Sequence, residues 1–152
     1  MIEIDKSQVV DAPAESVWKL VGDLEHEQKY WSALRNVKIL ERKDYTTVER
    51  EATIRRGPMG EAKSTQTLSM NAVQKTSTLT MTKGPMLGTR KVILSSIEDG
   101  KKTKIDVSWR FEMKGVPGFA HGFVKDNISE VTEKALDAIA EESLKAKVSG
   151  LS

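Results

Sequence analysis

Thr103-Lys104-Ile105-Asp106-Val107-Ser108-Trp109-Arg110-Phe111-Glu112-Met113 alternates without a break, and Gly115-Val116-Pro117-Gly118 ends the run. Side chains of a strand point to opposite faces in turn. Ile105, Val107, Trp109, Phe111 and Met113 therefore share one face, and Asp106, Ser108, Arg110 and Glu112 share the other. One face is made for burial and the other for water. Beyond Gly118 the period becomes helical: Val124, Ile128, Val131, Ala135, Ala138 and Ile139 form a stripe opposite Asp126, Glu130, Glu133, Lys134, Asp137 and Glu141. The spacing predicts a helix from near Gly118 to about Val148. At a rise of ~1.5 Å per residue it is about 45 Å long, enough to cross a sheet diagonally.

Upstream, a period of two predicts five more strands near Val37–Lys43, Thr47–Arg55, Ala62–Met70, Ser77–Lys83 and Arg90–Ile97. The breaks carry turn chemistry: Lys43-Asp44, Gly57-Pro58, Asn71, Gly84-Pro85 and Asp99-Gly100. Ile2–Val10, rich in β-branched residues, reads as a first strand. Asp11-Ala12-Pro13-Ala14-Glu15 then opens a short helix, with Pro13 suited to the first position and acidic residues where the dipole favours them. Val17, Leu20, Val21 and Leu24 give that helix one buried stripe. A second short helix is expected over Glu27–Leu34, carrying Tyr30 and Trp31. Strands segregated from helices imply an α+β fold with an antiparallel sheet. One long amphipathic helix covers a seven-stranded sheet only if the sheet curves around it, and such a grip leaves a cavity.

Composition narrows the function. The chain has 152 residues, 24 basic and 22 acidic side chains, a net charge of +2 and no cysteine. One domain over 1–152 fits this length. The balanced charge gives no bulk field for nucleic acid or an anionic membrane. Without cysteine there is no disulfide, thiolate metal site or cysteine nucleophile. Met1–Lys6 lacks the apolar core of a signal peptide and no stretch approaches ~20 apolar residues, so a cytoplasmic location is the expectation.

Ala12-Pro13, Val17-Trp18, Asp23, Trp31 and then Val37 at the start of a strand, together with the element order, resemble the START-related SRPBCC superfamily. This is the helix-grip fold of birch-pollen allergens, polyketide cyclases and coenzyme Q-binding proteins. The likeness spans essentially the whole chain; Ser32-Ala33 departs from it where a proline often stands. The resemblance implies binding of a lipid, isoprenoid, polyketide or similar apolar ligand, sometimes with catalysis added. Fold alone does not settle which.

The residues carry the rest of the argument. His26 and His121 have no second ligand at helical or hairpin spacing, so no metal or other cofactor is expected. No serine sits in a nucleophile-elbow sequence, and the Gly-Pro-Met loops put proline where a phosphate cradle needs N–H donors. If Val48, Ala52 and Ile54 face the helix, so does Arg50; Leu68 and Met70 bring Ser64 and Gln66 inward likewise. A buried guanidinium needs a partner: an inward acid such as Glu41, a ligand carboxylate or a water cluster. A pocket of roughly a few hundred Å³ is expected between sheet and long helix. Its candidate ligand contacts are Tyr30, Arg50, Gln66, Met81, Trp109, Phe119, Phe123 and Val124.

In an antiparallel meander alternate connections share one end. That gathers Met59, Met86, Leu87, Val116 and Phe119 at one end of the sheet, an apolar rim that reads as the cavity mouth. The same rim suits brief contact with a membrane or a donor protein. The leading expectation is a carrier of a small hydrophobic molecule, with Arg50 and Gln66 orienting its polar end. Two alternatives stand beside it. One is a cyclase or dehydratase whose acid–base pair would be drawn from His121, Tyr30 and Glu49; the other is a protein-interaction module. Neither the ligand nor the oligomeric state is legible.

Overall fold

The computed structural model describes residues 1–55 and 60–149, without the side chains of 146–149. The order is β1 (Ile2–Val10), α1 (Ala14–Val21), a 3-10 turn (Glu27–Lys29), β2 (Leu34–Arg42), β3 (Thr47–Arg55), β4 (Glu61–Asn71), β5 (Thr76–Lys83), β6 (Met86–Ile97), β7 (Lys102–Met113), a second 3-10 turn (Gly118–Ala120) and α2 (His121–Ser149). The strands form one curved antiparallel sheet in the order β1-β7-β6-β5-β4-β3-β2, with α2 on its concave side. This is the α+β helix-grip fold.

The periodicities explain the packing. In β7, Thr103, Ile105, Val107, Trp109 and Phe111 are buried in strict alternation. In α2, Val124, Ile128, Ala135, Leu136 and Ile139 are buried, whereas the six charged residues of the opposite face are exposed. The helix packs chiefly on β1 and α1 and touches β7. Ion pairs from its outer side tie it down: Lys6–Glu133 at 2.7 Å and Lys29–Glu142 at 3.3 Å.

Four boundaries differ from the sequence reading. The expected helix over Glu27–Leu34 shrinks to one 3-10 turn, because the buried Tyr30 and Trp31 dock on the core one after the other rather than at helical spacing. β2 begins at Leu34, three residues early, and is broken by register shifts; it is an edge strand, exposed along almost its whole length. β6 begins at Met86 rather than Arg90, pairing Met86 with Met113 and Leu87 with Glu112. The long helix starts at His121, preceded by the second 3-10 turn.

Gly88 holds the early part of β6 close to β7. A Cβ there would lie 2.1 Å from the Arg110 carbonyl oxygen and 2.5 Å from Cα of Phe111, at a φ of +152°. Only glycine lets the two backbones approach so closely.

Candidate functional site

Two rungs of the sheet build the inner wall. Val48, Leu68, Leu79, Arg90, Trp109 and Ile4 follow one another across six strands, each paired with the next. The neighbouring rung runs Arg50, Gln66, Met81, Gly88, Phe111 and Ile2. Alternation thus sends two arginines and a glutamine into an apolar concavity. Arg50, Arg90 and Gln66 are all at most 2% exposed.

Glu27 meets both arginines from the 3-10 turn above. Its Oε1 lies 2.5 Å from Nη2 of Arg90, and each carboxylate oxygen lies 3.4 Å from a terminal nitrogen of Arg50. Arg50 Nε donates to Gln66 Oε1 at 2.9 Å, and Gln66 Nε2 donates to Ser64 Oγ at 3.2 Å. The Arg90 guanidinium lies 4.3 Å from the centre of the Trp31 ring and 5.8 Å from that of Trp109, within cation–π range. Burial by itself pushes the Glu27 carboxyl up, but the charges of Arg90 and then Arg50 hold it below the usual carboxylate range. Burial lowers Arg90, and Arg50 adds to that while Glu27 opposes it. A guanidinium remains a cation even so. Glu27, not Glu41, is therefore the partner of Arg50; Glu41 is exposed on β2.

The cavity between sheet and helix is smaller than the sequence suggested. It measures about 40 Å³, lined by Trp31, Leu79, Met81, Met86, Trp109 and Ile128 among others, with Gln66 and Arg90 supplying its polar wall. The charged cluster and the two tryptophans fill the space that a few-hundred-Å³ pocket would need. A second, open recess of about 310 Å³ shares Ala33, Arg55 and Val131 with the inner cavity, so these residues stand between the two spaces.

Of the candidate contacts, Gln66, Met81 and Trp109 line the inner cavity and Arg50 stands behind Gln66. Tyr30 lines a minor void of about 10 Å³ beside Glu27 and Arg90. Val124 is buried but off the cavity wall. Phe119 and Phe123 do not face inward: they are 91% and 53% exposed, the first on the turn before α2 and the second on the outer side of its first turn. Trp109 Nε1 donates to Thr132 Oγ1 at 3.0 Å, which fixes the ring against α2. Glu49, Tyr30 and His121 do not converge, since Glu49 belongs to the outer face of β3 and His121 to the start of α2. Among the described residues no three metal-ligating side chains cluster.

The antiparallel register puts the β3–β4, β5–β6 and β7–α2 connections at one end, with Arg55 paired to Glu61, Thr65 to Lys83 and Met86 to Met113. Met59 lies outside the described residues. Met86 is not a rim residue: it is 4% exposed and lines the cavity. Leu87, one step on, belongs to the outer face of β6, and Val116 is half-buried. Phe119 and Phe123 are exposed at this end, and so is Met1, which precedes the start of β1 beside the end of β7. At the opposite end Tyr45 and Val73 are exposed too, so apolar exposure is not confined to the expected rim.

Sequence reasoning missed two residues. Arg90 opens the strand read over Arg90–Ile97 and shares parity with Val92 and Leu94, so that parity already turned it inward. Glu27 follows no strand parity, and only the surplus of inward positive charge pointed to some acid.

No curated protein matches the chain in sequence. Solved structures match it closely in fold. The Zhui aromatase/cyclase of a Streptomyces species superposes with a TM-score of 0.75 at 13% identity, over 95% of this chain and 94% of that one. A START superfamily protein of Mycobacterium smegmatis gives 0.74 at 17%, over 92% and 97%. Ara h 8.0201 gives 0.64 at 18%, over 95% and 98%. At these identities the likeness is one of fold. A family model described as polyketide cyclase / dehydrase and lipid transport matches residues 1–147. The chain belongs to that family, within the START-related SRPBCC superfamily.

Proposed function

We propose that this chain works as one ligand-binding domain that carries a small hydrophobic molecule, a lipid, isoprenoid or polyketide-like compound, between sheet and α2. The observation that carries the reading is the inner cavity: an apolar wall with Gln66 and Arg90 as its polar pole, neighboured by an open recess across Ala33, Arg55 and Val131. Such a shape orients an amphiphile by one end. At about 40 Å³ the cavity holds part of a ligand, and loading requires Met81 and Met86 to repack. Methionine, unbranched and polarizable, suits that task. Gln66 then meets the polar end directly, and Arg50, which donates to Gln66 and pairs with Glu27, holds it in place. We place the carrier in the cytoplasm, with loading by brief contact with a membrane or donor protein.

A cyclase or dehydratase is the second reading, favoured by the family's description alone. The titratable groups on the inner cavity are Arg55 and Arg90, which supply cations but no acid–base pair near neutral pH. Native mass spectrometry of protein purified from its own host tests the reading. A retained apolar small molecule is expected, released by organic solvent. Protein that is ligand-free and takes up no apolar probe would refute it.

A further inference from the structure

We propose that the cavity takes an apolar monocarboxylic acid, whose carboxylate accepts a hydrogen bond from Nε of Arg90 and balances the charge of the Glu27–Arg50–Arg90 cluster. The inference rests on the ligand-binding reading above and names the chemistry of the ligand.

Charge is the first argument. Glu27, Arg50 and Arg90 are the charged side chains among the buried described residues. The carboxyl is held ionised and the guanidiniums stay protonated, so the cluster carries one net positive charge. An uncompensated buried charge is costly, and a buried ionic group is tolerated only when paired and hydrogen-bonded.

Valence is the second. Arg50 uses three nitrogens, two on Glu27 and one on Gln66. Arg90 has Nη2 on Glu27, while its buried Nε has no hydrogen-bond partner among the described residues. Arg90 also lines the inner cavity. The surplus charge belongs to the cluster and the unmet donor to Arg90, the member of the cluster that lines the inner cavity. Trp31 and Trp109 flank the guanidinium, with its central carbon 4.3 Å and 5.8 Å from their ring centres, and neither indole ring offers Nε an oxygen acceptor.

The class of acceptor follows. A hydroxyl or a water would satisfy Nε without cancelling the charge. A phosphate monoester carries about −1.5 to −2 at neutral pH, more than the single surplus charge of the buried cluster, since Arg55, the cavity's other cation, is exposed to water; its tetrahedral head is also bulky for a cavity of about 40 Å³. A carboxylate is small, planar and singly charged. Its chain then runs past Ala33 and Val131 toward the outer recess.

The test compares a fluorescent polyene fatty acid with its methyl ester on the full chain at neutral pH. A charge-assisted hydrogen bond predicts that the acid binds about tenfold or more tightly than the ester. Arg90→Met, which leaves Arg50 and Glu27 as a neutral pair, is expected to erase the difference while still binding ester. Glu27→Gln, which raises the positive surplus, is expected to widen it. An alkyl phosphate should bind less well than the acid. Equal binding of acid and ester to the wild-type chain overturns the carboxylate and leaves the apolar carrier standing, whether or not either variant folds. An acid preference that survives in folded Arg90→Met overturns it too. If neither acid nor ester binds, the carrier reading itself fails and takes this inference with it.

Discussion

Glu27 sits on a three-residue turn, where a substitution would ordinarily be mild, yet its carboxylate faces two buried guanidiniums. Removing one partner of a buried ion pair costs about 3–5 kcal/mol, because the remaining charge stays buried and unpaired. Glu27→Ala should therefore destabilise the fold by about that much in urea unfolding. Glu133→Ala, which breaks the exposed 2.7 Å pair with Lys6, should cost under about 1 kcal/mol. Equal losses would mean that the cluster is not buried in solution. The same carboxyl gives a signed dependence on pH. Its folded pKa is lowered, from an ordinary value of 4.5, so the unfolded chain binds more protons in acid. The Glu27 contribution is complete above about pH 4.5 and is lost as pH falls through the folded pKa. Stability should fall on acidification below pH 4.5, and Glu27→Gln should fall less steeply than wild type in melts from pH 6 to pH 3. Other carboxyls contribute to the wild-type slope, so the difference between the two proteins is the quantity that reports Glu27.

Elements show why one part of the fold was legible and another was not. β7 and α2 declare themselves because a single face of each is buried, and a buried face imposes its period on the sequence. β2 does not, since an edge strand exposed on both faces has no period to impose. Its start, and the 3-10 turn before it, depend on where Tyr30 and Trp31 dock, which is a tertiary matter. The start of β6 was hidden for another reason. Gly84-Pro85 and Gly88 look like turn residues, yet Gly88 lies within the strand as the point where β6 and β7 come closest. Taking it for a turn put Arg90 at a strand end and moved Met86 and Leu87 into a loop. The geometry makes a prediction at this scale. Gly88→Ala forces a Cβ into the β7 backbone and should destabilise by about 2 kcal/mol or more, as large mutational losses follow from backbone strain. Gly100→Ala faces open space at a φ of +82°, so only the left-handed conformation opposes it, about 1–2 kcal/mol. Thermal melts of the two variants decide it: Gly100→Ala as damaging as Gly88→Ala would deny the close approach.

At the scale of the whole molecule, the sheet's parity and two exposed phenylalanines at the entry to α2 define one working end. The register gathers three connections there, and beside them Phe119 and Phe123 stand one helical turn apart, 91% and 53% exposed. Phe119 belongs to the 3-10 turn and Phe123 to the first turn of α2. Met86 cannot serve as the gate residue the sequence suggested, because it lines the cavity and a serine there would damage the core. The exposed pair can be changed without touching the core. An apolar ligand leaving a bilayer must avoid water, and two phenyl rings entering the interface gain about 25 cal/mol for each Å² they bury. Replacing both phenylalanines with serine should slow transfer of an apolar fluorescent probe from vesicles about tenfold, a loss of roughly 1.4 kcal/mol of docking. The affinity for probe already in solution and the melting temperature should stay near wild type, because neither ring lines the cavity. Slower transfer with unchanged affinity assigns docking to this end. Transfer at the wild-type rate from vesicles, with slowing only from a protein donor, would make the partner a protein. Unchanged rates from both would remove the rim from the loading path and leave the cavity as the site.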